Sequence, residues 1–271
     1  MLIGPRMTLE ISAQSRLNRE ITRLTTEISG EKRILSPSDD PHAAARVAAI
    51  GRDQVDQAGW KANVTAAAAL AQRADSALGD IQDMMDRAAE LISAARGPGG
   101  DKVVAALELQ AFADEMRLAM QQQDSRGQPV FADGEPLGIP MGGGALLTAN
   151  PSRASVFGAV GDTLADRLEA AATALIGGND TAIAAELDRI NAGQTQVTDA
   201  IGAQGVRGAR IDFALDRLIS QGATAAEERT KLEATDLTMA IPELQTKQLT
   251  LEAAQAAFTR VNRRTLFDLL G

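Results

Sequence analysis

The 271 residues include no cysteine, no tyrosine, one tryptophan, one histidine and six phenylalanines. Without cysteine there is no disulfide framework, no thiolate metal site and no cysteine nucleophile. Any Ser-His-Asp chemistry would rest on the single histidine, His42, whose place beside Asp39 and Asp40 reads more simply as an exposed first-turn residue of a helix. Positive charge is also short. Against 36 Asp and Glu there are 27 Lys and Arg, a net charge of −9, which is the wrong sign for sequence-independent binding of nucleic acid. No apolar run approaches the roughly 20 residues that span a bilayer, and the opening MLIGPRMTLE lacks the apolar core and small-residue cleavage site of a signal peptide. A soluble protein is expected, one that leaves the cell, if it does, by a route without a cleaved leader. With aromatics scarce, the 45% apolar content is mostly Ala, Leu, Ile and Val, a composition that favours thin helical bundles over thick globular cores.

What is present is helical periodicity. From Thr8 to Ser29, Leu17, Ile21, Leu24 and Ile28 are spaced four, three and four, a heptad seam. Extended backwards it puts Gln14 at a core position, and a helix this short needs partners. Pro41 to about Arg96 has no internal proline and abounds in alanine, which predicts one helix of about 80 Å at 1.5 Å per residue. Gly97-Pro98-Gly99-Gly100 makes a turn and Asp101 is a candidate N-cap. A third, antiparallel helix is expected to about Asp124, with Val104, Leu107, Phe112, Met116 and Leu118 as its apolar set. Asp80, Asp83 and Asp86 lack the loop spacing of a calcium site and read as a solvated helix face. Met84, Met85, Met116 and Met120 read as core filling.

Arg126 to Pro151 is rich in Gly and Pro and predicts a short hairpin and loops. Met141-Gly142-Gly143-Gly144 has no preceding strand and no following Gly-Lys-Ser or Gly-Lys-Thr, so a flexible surface turn accounts for it better than a phosphate loop. Helical periodicity returns near Val160 and runs to Ile176. Gly177-Gly178-Asn179-Asp180 then turns the chain, with Asp180 as the expected N-cap, into a helix lasting to about Thr235. Gly202, Gly205 and Gly208 do not have dinucleotide-fingerprint spacing and are expected to serve close helix packing. Beyond Asp236, Leu237, Ile241, Leu244, Leu251 and Phe258 form a further seam that carries Gln248 and Gln255. Pro242 is expected to kink that helix or mark its first turn.

Between the first two helices, GEKRILSPSDDPHAAARV (30–47) carries explicit stop and start signals. Gly30 ends one helix, Pro37 biases Ser36 away from helical dihedrals, and Asp40 before Pro41 is an N-cap followed by a first-turn proline. Asp39 and Asp40 suit the positive end of the new helix dipole. This string resembles the flagellin superfamily, and within it the hook–filament junction proteins: Lys32, Arg33, Pro37, Ser38, Asp39, Asp40, Pro41, Ala43 and Ala44 match their pattern, while Glu31 is an extra residue after the glycine. GVRGARIDFALDRL (205–218) is similar to the superfamily's Gly-Ala-Arg-x-x-x-x-Leu element. The last forty residues resemble its C-terminal helix through Asp236, Ala240, Leu244 with Gln248, Leu251 with Ala253, and Leu266-Phe267-Asp268-Leu269-Leu270. Thr265 and Leu269 replace the usual Ser and Tyr there, and Pro242 is less usual. Val130-Phe131-Ala132-Asp133-Gly134 is a degenerate echo of the signature that precedes an inserted outer domain, here reduced to a hairpin.

The resemblance implies an all-α fold: a flagellin-like elongated rod of long antiparallel helices with a small β-hairpin and loop insertion. Its implied domains are an inner coiled coil of the terminal helices (1–35 and 238–271), a helical-bundle middle domain (36–125 and 153–237) and a reduced outer region (126–152). The implied function is a structural adaptor, not an enzyme, joining the bacterial flagellar hook to the filament in motility. It would be exported by the flagellar type III system and secreted to the extracellular flagellum. Implied partners are other copies of itself, a neighbouring hook-associated protein, flagellin and an export chaperone. No nucleic acid, membrane, cofactor or metal is expected. Leu17, Ile21, Leu24, Ile28, Leu244, Leu251, Phe258, Leu266 and Phe267 would form the assembly interface, with Pro37, Asp39, Asp40, Pro41, Asp236 and Pro242 as interdomain connectors. One alternative is a minor truncated flagellin of the filament shaft, although flagellins usually show Asn-Ser-Ala-x-Asp-Asp-Ala where this chain has Ser36-Pro37-Ser38-Asp39-Asp40-Pro41. The other is a cytoplasmic coiled-coil scaffold.

Overall fold

The computed structural model describes residues 5–267, with side chains over 8–260. Its elements are α1 (Pro5–Gly30), α2 (Pro41–Arg96), α3 (Lys102–Ala119), β1 (Ile139–Pro140), β2 (Leu146–Leu147), α4 (Arg153–Phe157), α5 (Leu164–Gly177), α6 (Asp180–Glu233) and α7 (Leu237–Phe267). Apart from the antiparallel β1–β2 ribbon, the described chain is all-α.

Local signals set several ends. Asp40 Oδ1 accepts the Ala43 N–H at 3.0 Å and starts α2 at Pro41. After Arg96 a Cβ on Gly100 would lie 2.5 Å from the Ala94 carbonyl oxygen, so that position needs glycine. Asp101 caps α3 by accepting from the Val103 and Val104 N–H groups.

Other ends depart from the sequence reading. α3 stops at Ala119, short of Asp124, because Asp124 Oδ1 accepts the Arg126 and Gln128 N–H groups, both at 2.8 Å, in a local turn that competes with helix. The Arg153 guanidinium donates to the freed Met120 carbonyl at 3.0 Å. α5 begins at Leu164, not near Val160, since Gly158 and Gly161 sit at φ 94° and 89° and Thr163 forms a capping box with Asp166. The cap of α6 is Asn179 rather than Asp180: its Oδ1 accepts from the Thr181 and Ala182 N–H groups.

The chain divides into two compact units, one of Met1–Gln54 with Ala223–Gly271 and one of Val55–Gly222. The second unit has two buried clusters. The first joins Leu78, Ile81, Met85 and Ile92 of α2 to Leu109 and Met116 of α3, Leu168 and Leu175 of α5 and Ile183 and Ile190 of α6. Phe131 and Phe157 meet edge to face in it, centroids 4.9 Å apart. Here α3 follows its expected apolar set only in part: Met116 is buried and Phe112 packs against the core, but the rest of the set is not. The helix lies along α5 and buries Ala105, Ala106, Leu109, Ala113 and Met116, whereas Val104, Leu107 and Leu118 are 57%, 61% and 72% exposed. Small side chains let two helix backbones approach, so burial follows the alanine face.

The second cluster seats the ribbon: Met141, Leu147 and Ala149 pack with Val64, Ala67 and Ala71 of α2 and Ile211, Ala214 and Leu218 of α6. The glycine run in its turn has a packing role. Gly142 sits at φ 93°, and a Cβ there would lie 2.6 Å from the Trp60 ring. Buried Gln204 donates to the carbonyls of Ala71 (3.1 Å) and Ala149 (2.9 Å), tying α6 to both. Gly202, Gly205 and Gly208 are not close-packing positions: a Cβ on any of them meets nothing within 4 Å. That part falls to Gly193, where a Cβ would lie 2.6 Å from Met85 Cε.

Candidate functional site: the paired first and last helices and their junction

α1 packs on α7 within the first unit. Leu17, Ile21, Leu24 and Ile28 of α1 are all half-buried. On α7 the covered residues are Ala240, Leu244, Lys247, Leu251, Ala254 and Phe258, spaced four, three, four, three and four. Leu237 and Ile241, seam residues by sequence, are 37% and 43% exposed, and Gln248 and Gln255 face solvent. The contact face is therefore rotated by one residue at every second seam position, keeping Leu244, Leu251 and Phe258. Leu266 and Phe267 fall where side chains lie outside the described residues.

The polar group on this seam is Lys247, whose ammonium donates to Glu20 at 2.6 Å. That hydrogen bond and the lysine's charge hold the Glu20 carboxyl below its usual range, and the same contact raises Lys247. A charged pair on a seam selects register. Glu27, the other acid of the face, is 6% exposed and takes the Arg23 guanidinium at 2.6 Å, while its carbonyl accepts the Thr235 hydroxyl.

At the junction, Arg33 N–H donates to the Glu233 carbonyl (2.7 Å) and Thr235 N–H to the Glu31 carbonyl (3.1 Å), an isolated antiparallel bridge centred on Lys32 and Ala234. This pairing is why α6 ends at Glu233. Glu31 makes the turn at φ 52°, so the left-handed position after α1 belongs to it and not to Gly30. Lys32 pairs with Glu233 at 3.4 Å. The Arg33 guanidinium reaches Asp40 Oδ2 and the Leu232 carbonyl, each at 3.3 Å, and Arg46 grips Glu228 with two bonds of 2.7 and 3.0 Å.

The two aspartates divide their work. Asp40 caps α2, and the Ala43 N–H lowers its carboxyl pKa. Asp39 does not serve that helix end. It closes the loop by accepting from the N–H groups of Ser36 (2.7 Å) and Leu35 (3.1 Å), which lowers its pKa as well. Pro37 is exposed in that loop and His42 is exposed on the first turn of α2. Asp236 caps α7 through the Thr238 N–H and hydroxyl, and Pro242 lies one turn inside the helix, which continues through it. Among the described residues no group of three or more His, Asp or Glu side chains is placed to hold a metal ion.

Sequence reasoning singled out Lys32 and Arg33 only as motif matches, and it missed Arg46, Lys247 and Glu20. Their partners stand about as far off in the chain as Arg33 does from Leu232, 199 residues, and no local pattern marks such a pair.

Fold and site together define an all-α protein whose first and last helices pair and are stitched by one β-bridge. No family model and no curated protein matches the sequence. The fold is similar to a solved structure from Vibrio parahaemolyticus, of a protein provisionally assigned as a flagellar hook-associated protein. The TM-score is 0.64 at 14% identity, over 72% of this chain and 100% of that one. At that identity the likeness is one of fold.

Proposed function

We propose that this chain is a structural adaptor between the bacterial flagellar hook and filament, exported by the flagellar type III system and assembling through α1 and α7. The observation that carries the reading is the incomplete burial of the α1–α7 seam. Leu17, Ile21, Leu24, Ile28, Leu244, Leu251 and Phe258 are only half-covered within one chain, and Leu9, Met239 and Leu249 are 68%, 72% and 66% exposed. Two helices share one mutual face, and apolar surface left over drives further association. Neighbouring copies, a hook-associated protein or flagellin would cover it. The fold likeness and the Pro37-Ser38-Asp39-Asp40-Pro41 string support the flagellar setting. In this role the protein works by packing and not by catalysis, and the 31–41 turn with its Arg33 and Asp40 contacts is the connector that sets where α1 leaves α2.

Deleting the gene tests it: cells should keep hooks but shed filament protein into the medium, and labelled protein should sit only at the filament base. Label along the shaft would favour a minor flagellin. Retention in cells with an intact export apparatus would favour a cytoplasmic scaffold.

A further inference from the structure

Within the second unit two helix faces stand exposed among the described residues, each pairing an apolar anchor with charged neighbours. On α6, Val206 and Phe213 are 55% and 80% exposed, and Arg210 and Arg217 share their stripe at spacings of four, three and four. Neither arginine has an acidic partner among the described residues. Beside Phe213 a groove of about 580 Å³ is lined by Met141, Leu147 and Ala214, with Arg210, Arg217 and one acid, Asp216, at its polar edge. On α3, Leu118 is 72% exposed, Glu115 and Ala111 are exposed, and Glu108 is half-buried, at spacings of three, four and three. Glu115 is unpaired among the described residues, and Glu108 meets Arg87 only at 3.9 Å.

We infer that the α3 stripe of one copy docks antiparallel on the α6 stripe of a second copy. The stripes run about 15 and 17 Å at 1.5 Å per residue. That register sets Leu118 on Val206, Glu115 on Arg210, Ala111 under Phe213 and Glu108 on Arg217. The charges commit the occupant: the α6 stripe carries two arginines against the single flanking acid Asp216, so it is net cationic and disfavours its own kind, the α3 stripe is acidic and does the same, and each complements the other. Exposed Phe and Arg are also the residue types that anchor interfaces. Within one chain the stripes lie over different core clusters. The contact is thus heterologous, and it propagates into a ring or helical lattice instead of closing as a two-fold dimer. The inference rests on the proposed assembling role and adds a contact that uses neither α1 nor α7.

The absence of native cysteine makes a clean probe. Ala111→Cys and Ala209→Cys, two exposed positions, are made in separate full-length chains. They are mixed with a bismaleimide that spans the roughly 8–10 Å between packed helices, at protein concentrations up to about 1 mM. The mixture should cross-link at least tenfold better than either protein alone. Arg210→Glu should abolish that excess, and Glu115→Arg in the other chain should restore it. Equal cross-linking of one protein alone, oligomers without the mixed cross-link, a monomer throughout the range, or a failed rescue would each overturn the docking. The two readings fail separately. Normal adaptor behaviour in cells without the cross-link refutes only the docking, and the cross-link in a chain absent from the flagellum refutes only the flagellar role.

Discussion

Replacing Glu31 by glycine should strengthen the junction. Glu31 is the one non-glycine residue with positive φ among the described residues, and holding an L-residue in the left-handed region costs about 1–2 kcal/mol. Glycine removes that cost but frees the unfolded chain, which returns about 0.5–1 kcal/mol. The Glu31 side chain is exposed and makes no ion pair among the described residues, and its carbonyl still accepts from Thr235. The net gain is about 0.5–1 kcal/mol. Hydrogen exchange at the Arg33 and Thr235 amides, which donate across the bridge, reads it locally: Glu31→Gly should slow both by roughly two- to fivefold. Gly30→Ala should add a similar amount, because Gly30 is helical and a Cβ there meets nothing within 4 Å. Unchanged or faster exchange at both amides in Glu31→Gly would refute the claim that this turn limits the stability of the junction.

Asp40→Ala should cost about 1 kcal/mol by removing the α2 cap, while Asp40→Asn should cost only a few tenths, since asparagine caps as well and the exposed Arg33 pair adds little. Equal losses in denaturant titrations would contradict the capping role. Gly142→Ala should destabilise by about 2 kcal/mol or more through left-handed strain and collision with the Trp60 ring. Emission from the single tryptophan and the melting temperature should both shift, and if both stay put the packing account is wrong. Asp162, held between Arg167 and Arg189, has its carboxyl lowered to about 2 from the usual 3.8. Its contribution is therefore complete above about pH 4 and is lost as pH falls through about 2; carboxyl NMR should show that low midpoint, and Arg189→Ala should raise it. A wild-type midpoint near 4 would sink this. Phe258→Ala should impair assembly with little change in monomer melting, because the ring is only half-buried and the roughly 3–5 kcal/mol of a fully buried Phe does not apply; a large fall in monomer melting temperature would refute it.

The sequence alone determined what depends on neighbours in the chain. Pro41 opens α2 at the predicted residue, Asp101 caps α3, and the Gly-rich stretch after Arg126 yields a ribbon, because caps, prolines and turns act through backbone groups a few residues away. The half-burial of Leu17, Ile21, Leu24 and Ile28 was legible from their spacing, since a heptad has one face. Which face of an alanine-rich helix is covered was not. Alanine packs as well inside as outside, so periodicity chose Val104, Leu107 and Leu118 along with the covered Phe112 and Met116 on α3, while the close approach to α5 chose Ala105, Ala106 and Ala113. The same ambiguity rotated the α7 seam onto Ala240, Lys247 and Ala254. Only the tertiary structure could decide that Glu31 takes the left-handed turn and that Arg33 meets both Asp40 and Leu232. Those outcomes depend on Glu233, Ala234 and Thr235 arriving from the far end of the chain to pair with residues 31–33, and the partner's position is a property of the fold and not of the local sequence.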